Sequence, residues 1–225
     1  MRLFSDSIGR KVVMAVTGLL MVLFVVGHLL GNLSIFAGPD GINAYAIQLR
    51  ALGPALWIFR IVMIVAVVLH VVLSIQITLE NAAAKPQKYA VSRSLKATFA
   101  GKNMIWTGVL LGLFIGYHLL QFTFHVTPAD LALGEDAQGR FDVFTMVLST
   151  LERPIFAGAY VLAMVVLFLH LSHGIQSTFQ TLGWSNAKLL PEYGRWGKVL
   201  SGLFLIGYGA IPVLVVVGFV ATLAK

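Results

Sequence analysis

Apolar positions in this chain gather into five long stretches, separated by short segments where charge, glycine and proline collect. The pattern predicts helices over residues 12 to 33, 56 to 80, 103 to 125, 154 to 182 and 197 to 223. Each is long enough, at about 1.5 Å per residue, to cross a hydrocarbon core about 30 Å thick. Gly38-Pro39-Asp40-Gly41 reads as a turn after the first stretch, Pro54 and Pro154 fall near the starts of the second and fourth, and Pro191 falls between the last two. Pro212 is expected to kink the fifth helix. The expected fold is therefore all-α, an integral membrane bundle of five transmembrane helices forming one domain over residues 1–225.

Composition removes the soluble alternatives. Hydrophobic residues make up 58% of the 225 positions and charged residues 11%, against roughly one quarter charged in a soluble domain. There is no cysteine, which rules out disulfides, thiolate haem ligation and a cysteine-held iron–sulfur cluster within the chain. Histidine and methionine remain as candidate haem ligands. The net charge of +7 does not call for nucleic acid, because most Lys and Arg lie in short segments beside apolar stretches, where membrane topology accounts for them. The first stretch follows Arg10-Lys11 and lacks a small-x-small cleavage site, so it reads as a retained helix and not a secretion signal.

Basic residues also set the expected orientation. Arg2, Arg10, Lys11, Lys85, Lys88, Arg93, Lys96, Lys102, Lys188, Arg195 and Lys198 fall on one side, eleven against the five of Arg50, Arg60, Arg140, Arg153 and Lys225 on the other. The positive-inside rule then places the N-terminus in the cytoplasm and the C-terminus outside. Asp130, Glu135, Asp136, Asp142 and Glu152 make the opposite surface acidic.

A repeat orders the histidines. Thr17-Gly18 precedes Phe24 and His28-Leu29-Leu30 as Thr107-Gly108 precedes Phe114 and His118-Leu119-Leu120, at an offset of 90 residues. Leu69-His70 with Ser74-Ile75-Gln76 and Thr78 resembles Leu169-His170 with Gly174-Ile175-Gln176 and Thr178, at an offset of 100. The first two helices thus recur as the third and fourth in a parallel internal repeat, with the fifth closing the bundle. Four helices each carry a histidine at mid-span, where ionisable groups are rare and normally face the bundle interior. Counted from the cytoplasmic ends, His28 and His118 lie about 23 Å deep, and His70 and His173 about 12 to 14 Å. Histidines facing each other at matched depth can supply both axial imidazoles to one haem iron, so two pairs imply two stacked haems.

Gly27, Gly31, Gly108, Gly112, Gly116 and Gly174 admit a flat group close to the backbone, although small residues at this spacing also serve plain helix packing. His170 and His173 compete for one position: the repeat aligns His170 with His70, depth favours His173, and helical geometry does not choose. His125, at the boundary of the third helix, reads as an interfacial or quinone-side group. A haem-free scaffold or small transporter, with histidines relaying protons or binding substrate, is the competing reading of the same residues.

These residues together resemble the five-helix dihaem cytochrome b subunit of succinate:quinone oxidoreductases, which include succinate dehydrogenases and fumarate reductases. The resemblance is carried by Thr17-Gly18 through Phe24 to Gly27-His28-Leu29 and Gly31-Asn32-Leu33, by Asn43-Ala44-Tyr45-Ala46, and by His70 with the Asn81-to-Tyr89 loop. His118-Leu119 with Phe122-Thr123-Phe124, and His170-Leu171-Ser172-His173-Gly174 followed by Phe179-Gln180-Thr181-Leu182-Gly183-Trp184, extend it over nearly the whole chain.

The resemblance implies four axial ligands to two haem b groups, His28 with His118 and His70 with His173, the last chosen as the histidine immediately before glycine. It implies a flavoprotein subunit and an iron–sulfur subunit docked on the cytoplasmic face, with succinate chemistry confined to the flavoprotein. It also implies a quinone substrate, menaquinone in many dihaem members, and a place in the bacterial cytoplasmic membrane. Leu171 stands where some fumarate reductases carry a glutamate of a proton path, so that route is not expected here. Asn32, Gln121 and His125 are candidate quinone hydrogen-bonding groups, and Arg50, Arg140 and Arg153 candidate partners of haem propionates; none is assigned. The anchor of another respiratory oxidoreductase, such as a hydrogenase or formate dehydrogenase, is the nearest alternative.

Overall fold

A computed structural model describes residues 6–84 and 97–224. Arg2, Lys85, Lys88, Arg93, Lys96 and Lys225 of the charge count, and the Asn81-to-Tyr89 loop from Lys85 onward, lie outside the described residues. The elements in chain order are α1 (Ser7–Leu33), α2 (Gly38–Ala51), α3 (Pro54–Ala83), α4 (Phe99–Lys102), α5 (Met104–Phe122), α6 (Val143–Leu151), α7 (Pro154–Thr181) and α8 (Leu189–Val216). Short 3-10 turns over Ser34–Ala37 and Val220–Ala224 complete the assignment. Five of the helices are long and apolar enough to cross a membrane, namely α1, α3, α5, α7 and α8. The protein is an all-α bundle of membrane-spanning helices. Among the described residues no strand forms, and Glu135 with Phe141 makes an isolated bridge.

Outward-facing positions show why this chain needs lipid. Trp57, Ile58, Ile61 and Ile64 of α3, Leu110 and Leu113 of α5, and Leu203 and Ile206 of α8 are exposed large apolar side chains. In water such a surface is an association site; in hydrocarbon it is the solvated face. α1 packs beside α3, α3 beside α5, α5 beside α7 and α7 back against α1, so these four form a ring whose diagonals are α1–α5 and α3–α7. Outside the ring, α8 lies along α7 and α1. The Tyr208 hydroxyl donates to the Val25 carbonyl at 2.8 Å, and Gly207 admits the Leu29 side chain. Near the N-terminal end of α1, Arg10 makes a two-point ion pair with Glu80 of α3 at 2.5 and 2.7 Å.

Four differences from the predicted elements have physical causes. Gly38-Pro39-Asp40-Gly41 opens α2 instead of forming a turn: proline is tolerated in a first helical turn and the acidic side chain complements the helix dipole there. Gly38 holds φ at 75°, and a Cβ on it would meet the Leu223 carbonyl at 2.8 Å, so only glycine fits. Pro191 lies within the first turn of α8, where its missing N–H costs nothing, and the helix starts at Leu189 and not at residue 197. α8 then runs through Pro212 and ends at Val216. The third difference is α6, whose N-cap Asp142 accepts from the Thr145 N–H at 3.0 Å. The fourth is α5, which stops at Phe122, leaving His125 beyond the helix with φ of 56°.

α2, α6 and the 123–142 segment form a cap over one end of the bundle. Ile35, Ile42, Phe144, Leu151, Ile211, Val215 and Val220 make its apolar core. Asn43 is fully buried at the centre of its polar side. Its amide donates to Asp136 and Asp142, both at 3.0 Å, and its carbonyl accepts the Phe144 N–H at 2.9 Å. Arg140 ties Asp136 to Asp40, each at 2.6 Å. Burial works to raise the Asp136 pKa but is outweighed by the Arg140 N–H, the Asn43 amide, the Arg140 guanidinium and the Gln138 N–H, which hold it at about 2.

Because that pKa is depressed below the ordinary value of 3.8, the stabilisation from Asp136 is complete above the ordinary value and is lost as pH falls towards about 2. Protease cleavage within 126–142 is therefore expected to rise over that acidic window. In Asp136→Asn it should already be raised at neutral pH and change less on acidification; identical pH profiles would contradict this.

Candidate functional site

Both diagonals of the ring are bridged by histidines. The rings of His28 on α1 and His118 on α5 lie 5.9 Å apart between centroids at 81°, and those of His70 on α3 and His170 on α7 lie 6.4 Å apart at 65°. The two levels are well separated. Gly18 of α1 abuts His70 and Gly108 of α5 abuts His170, and His28 and His118 each lie ten residues further along the same helices. Ten residues of helix amount to about 15 Å.

Nδ1 of each ring is held from behind. His70 Nδ1 donates to the Met14 carbonyl at 3.0 Å, with Thr17 Oγ1 at 3.4 Å. His170 Nδ1 lies 3.0 Å from Thr107 Oγ1, whose own proton goes to the Asn103 or Met104 carbonyl, so the imidazole donates. His118 Nδ1 lies 3.0 Å from the Tyr160 hydroxyl, which gives its proton to Gln121 Oε1 at 2.7 Å, so here too Nδ1 donates. Three rings thus carry the proton on Nδ1 and keep the Nε2 lone pair free. His28 is held differently: its Nδ1 lies 3.3 Å from the Asn32 amide nitrogen, which makes a shorter bond of 2.7 Å to the His28 carbonyl. Phe24 and Phe114, one turn before His28 and His118, stack on them at 5.1 and 6.0 Å.

The structure does not bring His173 to His70. Three residues along α7 from His170, it is rotated by about 60° and displaced by one turn. It stands beside α4, where a Cβ on Gly101 would meet its ring at 3.1 Å, and its buried Nδ1 has no partner. Depth counting favoured His173 because the second helix was expected to end at residue 80. α3 runs to Ala83, which puts His70 thirteen residues from its helix end, closer to the eleven of His170 from Thr181 than to the eight of His173.

Other candidates are spread over the cap. His125 stacks on Phe141 at 5.6 Å, and the Arg50 guanidinium lies over the same Phe141 ring at 4.6 Å. Arg140 is paired with Asp136 and Asp40, and Arg153 with Asp130. Gln121 is fully buried and its Nε2 has no partner. Sequence reasoning missed Thr17 and Thr107 as ring anchors, although the repeated Thr-Gly pairs were visible. It also missed Tyr160, whose signal was its position ten residues before His170, the interval that separates the two levels on α1 and α5.

What this arrangement can hold follows from its donor set. Among the described residues no three His, Cys, Asp or Glu side chains are grouped to bind a metal ion. Each level offers two imidazoles, too few for a bare ion, so a metal held here must bring its remaining ligands with it. A metal–imidazole bond of about 2 Å, plus roughly 1 Å from nitrogen to ring centre, sets axial imidazoles about 6 Å apart, which both pairs match. A Cβ at Gly112 or Gly116 of α5 would meet nothing within 4 Å, but Gly116 is exposed and both lie well around the helix from His118, so this open space faces away from the rings. Each imidazole pair thus has the spacing that two axial ligands of one flat metal complex would need. Compared with known proteins, the chain matches no family model, no curated protein and no solved structure.

Proposed function

We propose that this chain is the membrane cytochrome b subunit of a succinate:quinone oxidoreductase, holding two b-type haems, one through His28 and His118 and the other through His70 and His170. The observation that carries the reading is the facing of two imidazole pairs across both diagonals, at 5.9 and 6.4 Å. His173 is the ligand that the resemblance implies for the lower level; the facing geometry supports His170 in its place. Bis-imidazole haem supplies a six-coordinate iron that exchanges single electrons and offers no open position to oxygen. The chain's own part is to orient four rings, to fix the proton on Nδ1 at three of them, and to keep the two levels about 15 Å apart along the helices. The Thr17-Gly18 contact with His70 and the Thr107-Gly108 contact with His170 support the parallel internal repeat.

On this reading the N-terminus faces the cytoplasm of a bacterium and α8 closes the bundle in the cytoplasmic membrane. An iron–sulfur subunit and a flavoprotein subunit attach at that face, and electrons pass between them and a quinone, menaquinone in many such complexes. The chain has neither the cysteines for a cluster nor a Gly-x-Gly-x-x-Gly phosphate turn, so succinate chemistry belongs to its partners.

Edge-to-face histidine packing alone also gives centroid spacings of about 4.5 to 7 Å, and a reduced-minus-oxidised spectrum separates the two. The protein purified from haem-replete membranes is expected to show a b-type alpha band with two haems per chain. A preparation without that band would end the proposal. Co-purification with a nickel or molybdenum protein, in place of a flavoprotein, would move the chain to a different respiratory complex.

A further inference from the structure

We propose that Tyr160 is the positioning residue of the His118 imidazole and that, through Gln121, it lowers the reduction potential of the haem at that level. This rests on the haem reading above. The geometry is a directed chain: His118 Nδ1 to Tyr160 at 3.0 Å, then Tyr160 to Gln121 Oε1 at 2.7 Å. Tyr160 has one proton, and Gln121 takes it, so the phenol oxygen is left as an acceptor for the imidazole N–H. With the amide reversed, its N–H would face the phenol, the phenol would donate to His118 Nδ1, and the ring proton would move to Nε2. Such a ring could not ligate iron. The tautomer of His118 is therefore set by a side chain it does not touch.

Gln121 is placed to accept this proton. It is fully buried, it sits three residues after His118 on α5, and the two bracket the Tyr160 hydroxyl from one helix while Tyr160 reaches over from α7. The Tyr160 ring is locked edge-on against Phe114 at 5.0 Å and Phe122 at 6.0 Å, which leaves its hydroxyl little choice of direction. An imidazole that donates from Nδ1 to a fixed oxygen is a more basic ligand at Nε2. A more basic ligand favours the ferric state and lowers the potential. Donation from Tyr160 to Gln121 polarises the phenol and strengthens its acceptance of the His118 proton. At the lower level the acceptors are the Met14 carbonyl for His70 and the Thr107 hydroxyl, which passes its proton to a backbone carbonyl, for His170, so Tyr160 and Gln121 act on the His118 level.

Redox titration of the purified protein, read at the alpha band, tests this. Tyr160→Phe keeps the ring packing and removes only the hydroxyl. Its His118-level haem is expected to titrate at a more positive potential than in the parent protein, with the His70-level haem unchanged. Gln121→Leu should shift the same haem in the same direction by less. The two haems are told apart with His118→Ala and His70→Ala. Unchanged potentials in both variants, or equal shifts of both haems, would overturn the proposal. If Tyr160→Phe releases the haem, Gln121→Leu decides: a positive shift at that level supports the chain and no shift sinks it. A parent protein with no alpha band would instead refute the haem reading itself.

Discussion

His170→Ala is expected to lower the haem content from two per chain to one, and His70→Ala to remove the same haem, while His173→Ala leaves both in place. The basis is that His170 faces His70 at 6.4 Å, whereas His173 is turned towards Gly101 and α4. On the proposed haem reading, losing one of two axial imidazoles would leave the iron with a single bond to the protein, and a b-type haem would have no covalent tether to compensate. His28→Ala and His118→Ala should likewise act as a pair on the other haem, giving two groups of variants with distinguishable alpha bands. Haem quantitation of the five variants checks the assignment. Loss of haem in His173→Ala with retention in His170→Ala would restore the ligand set implied by the family resemblance and refute the one drawn from the ring geometry.

The second large effect is expected far from the histidines. Asn43→Ala removes two donors to Asp136 and Asp142 and the acceptor of the Phe144 N–H, in a place no water reaches. An unpaired buried N–H and two weakened carboxylate contacts cost on the order of 3 kcal/mol together. Gln48→Ala, on the exposed side of the same helix, should change stability by less than about 0.5 kcal/mol. Thermal unfolding in detergent is expected to show Asn43→Ala several degrees below the parent and Gln48→Ala within error of it. Equal midpoints for the two variants would mean that the cap is not held through Asn43.

The long helices were legible in the sequence because a chain in hydrocarbon has few options. Backbone groups must pair within the segment, and about 20 apolar residues leave a helix as the one element that crosses. Prolines at the starts of α3 and α7 marked boundaries for the same local reason. Three of the four facing histidines were also legible, since His28, His70 and His118 each stand alone at mid-span on their helices. The cap was not. α2 and α6 are short, and what holds them is Asn43 reaching residues about a hundred positions away, which no local pattern reports.

His170 against His173 shows the same division within one turn of helix. The sequence by itself determined that this is a membrane bundle with histidines on four of its spans, and left His170 and His173 as the two candidates on the fourth span to meet His70. Rotation of α7 about its axis decided which one, together with the extra turn of α3 and the approach of Thr107 to a ring 63 positions away. Helix formation is a matter of neighbours three and four residues apart, so it is written locally. Which face a helix turns to its partners depends on the packing of the whole ring, and that exists only once all the helices are in place.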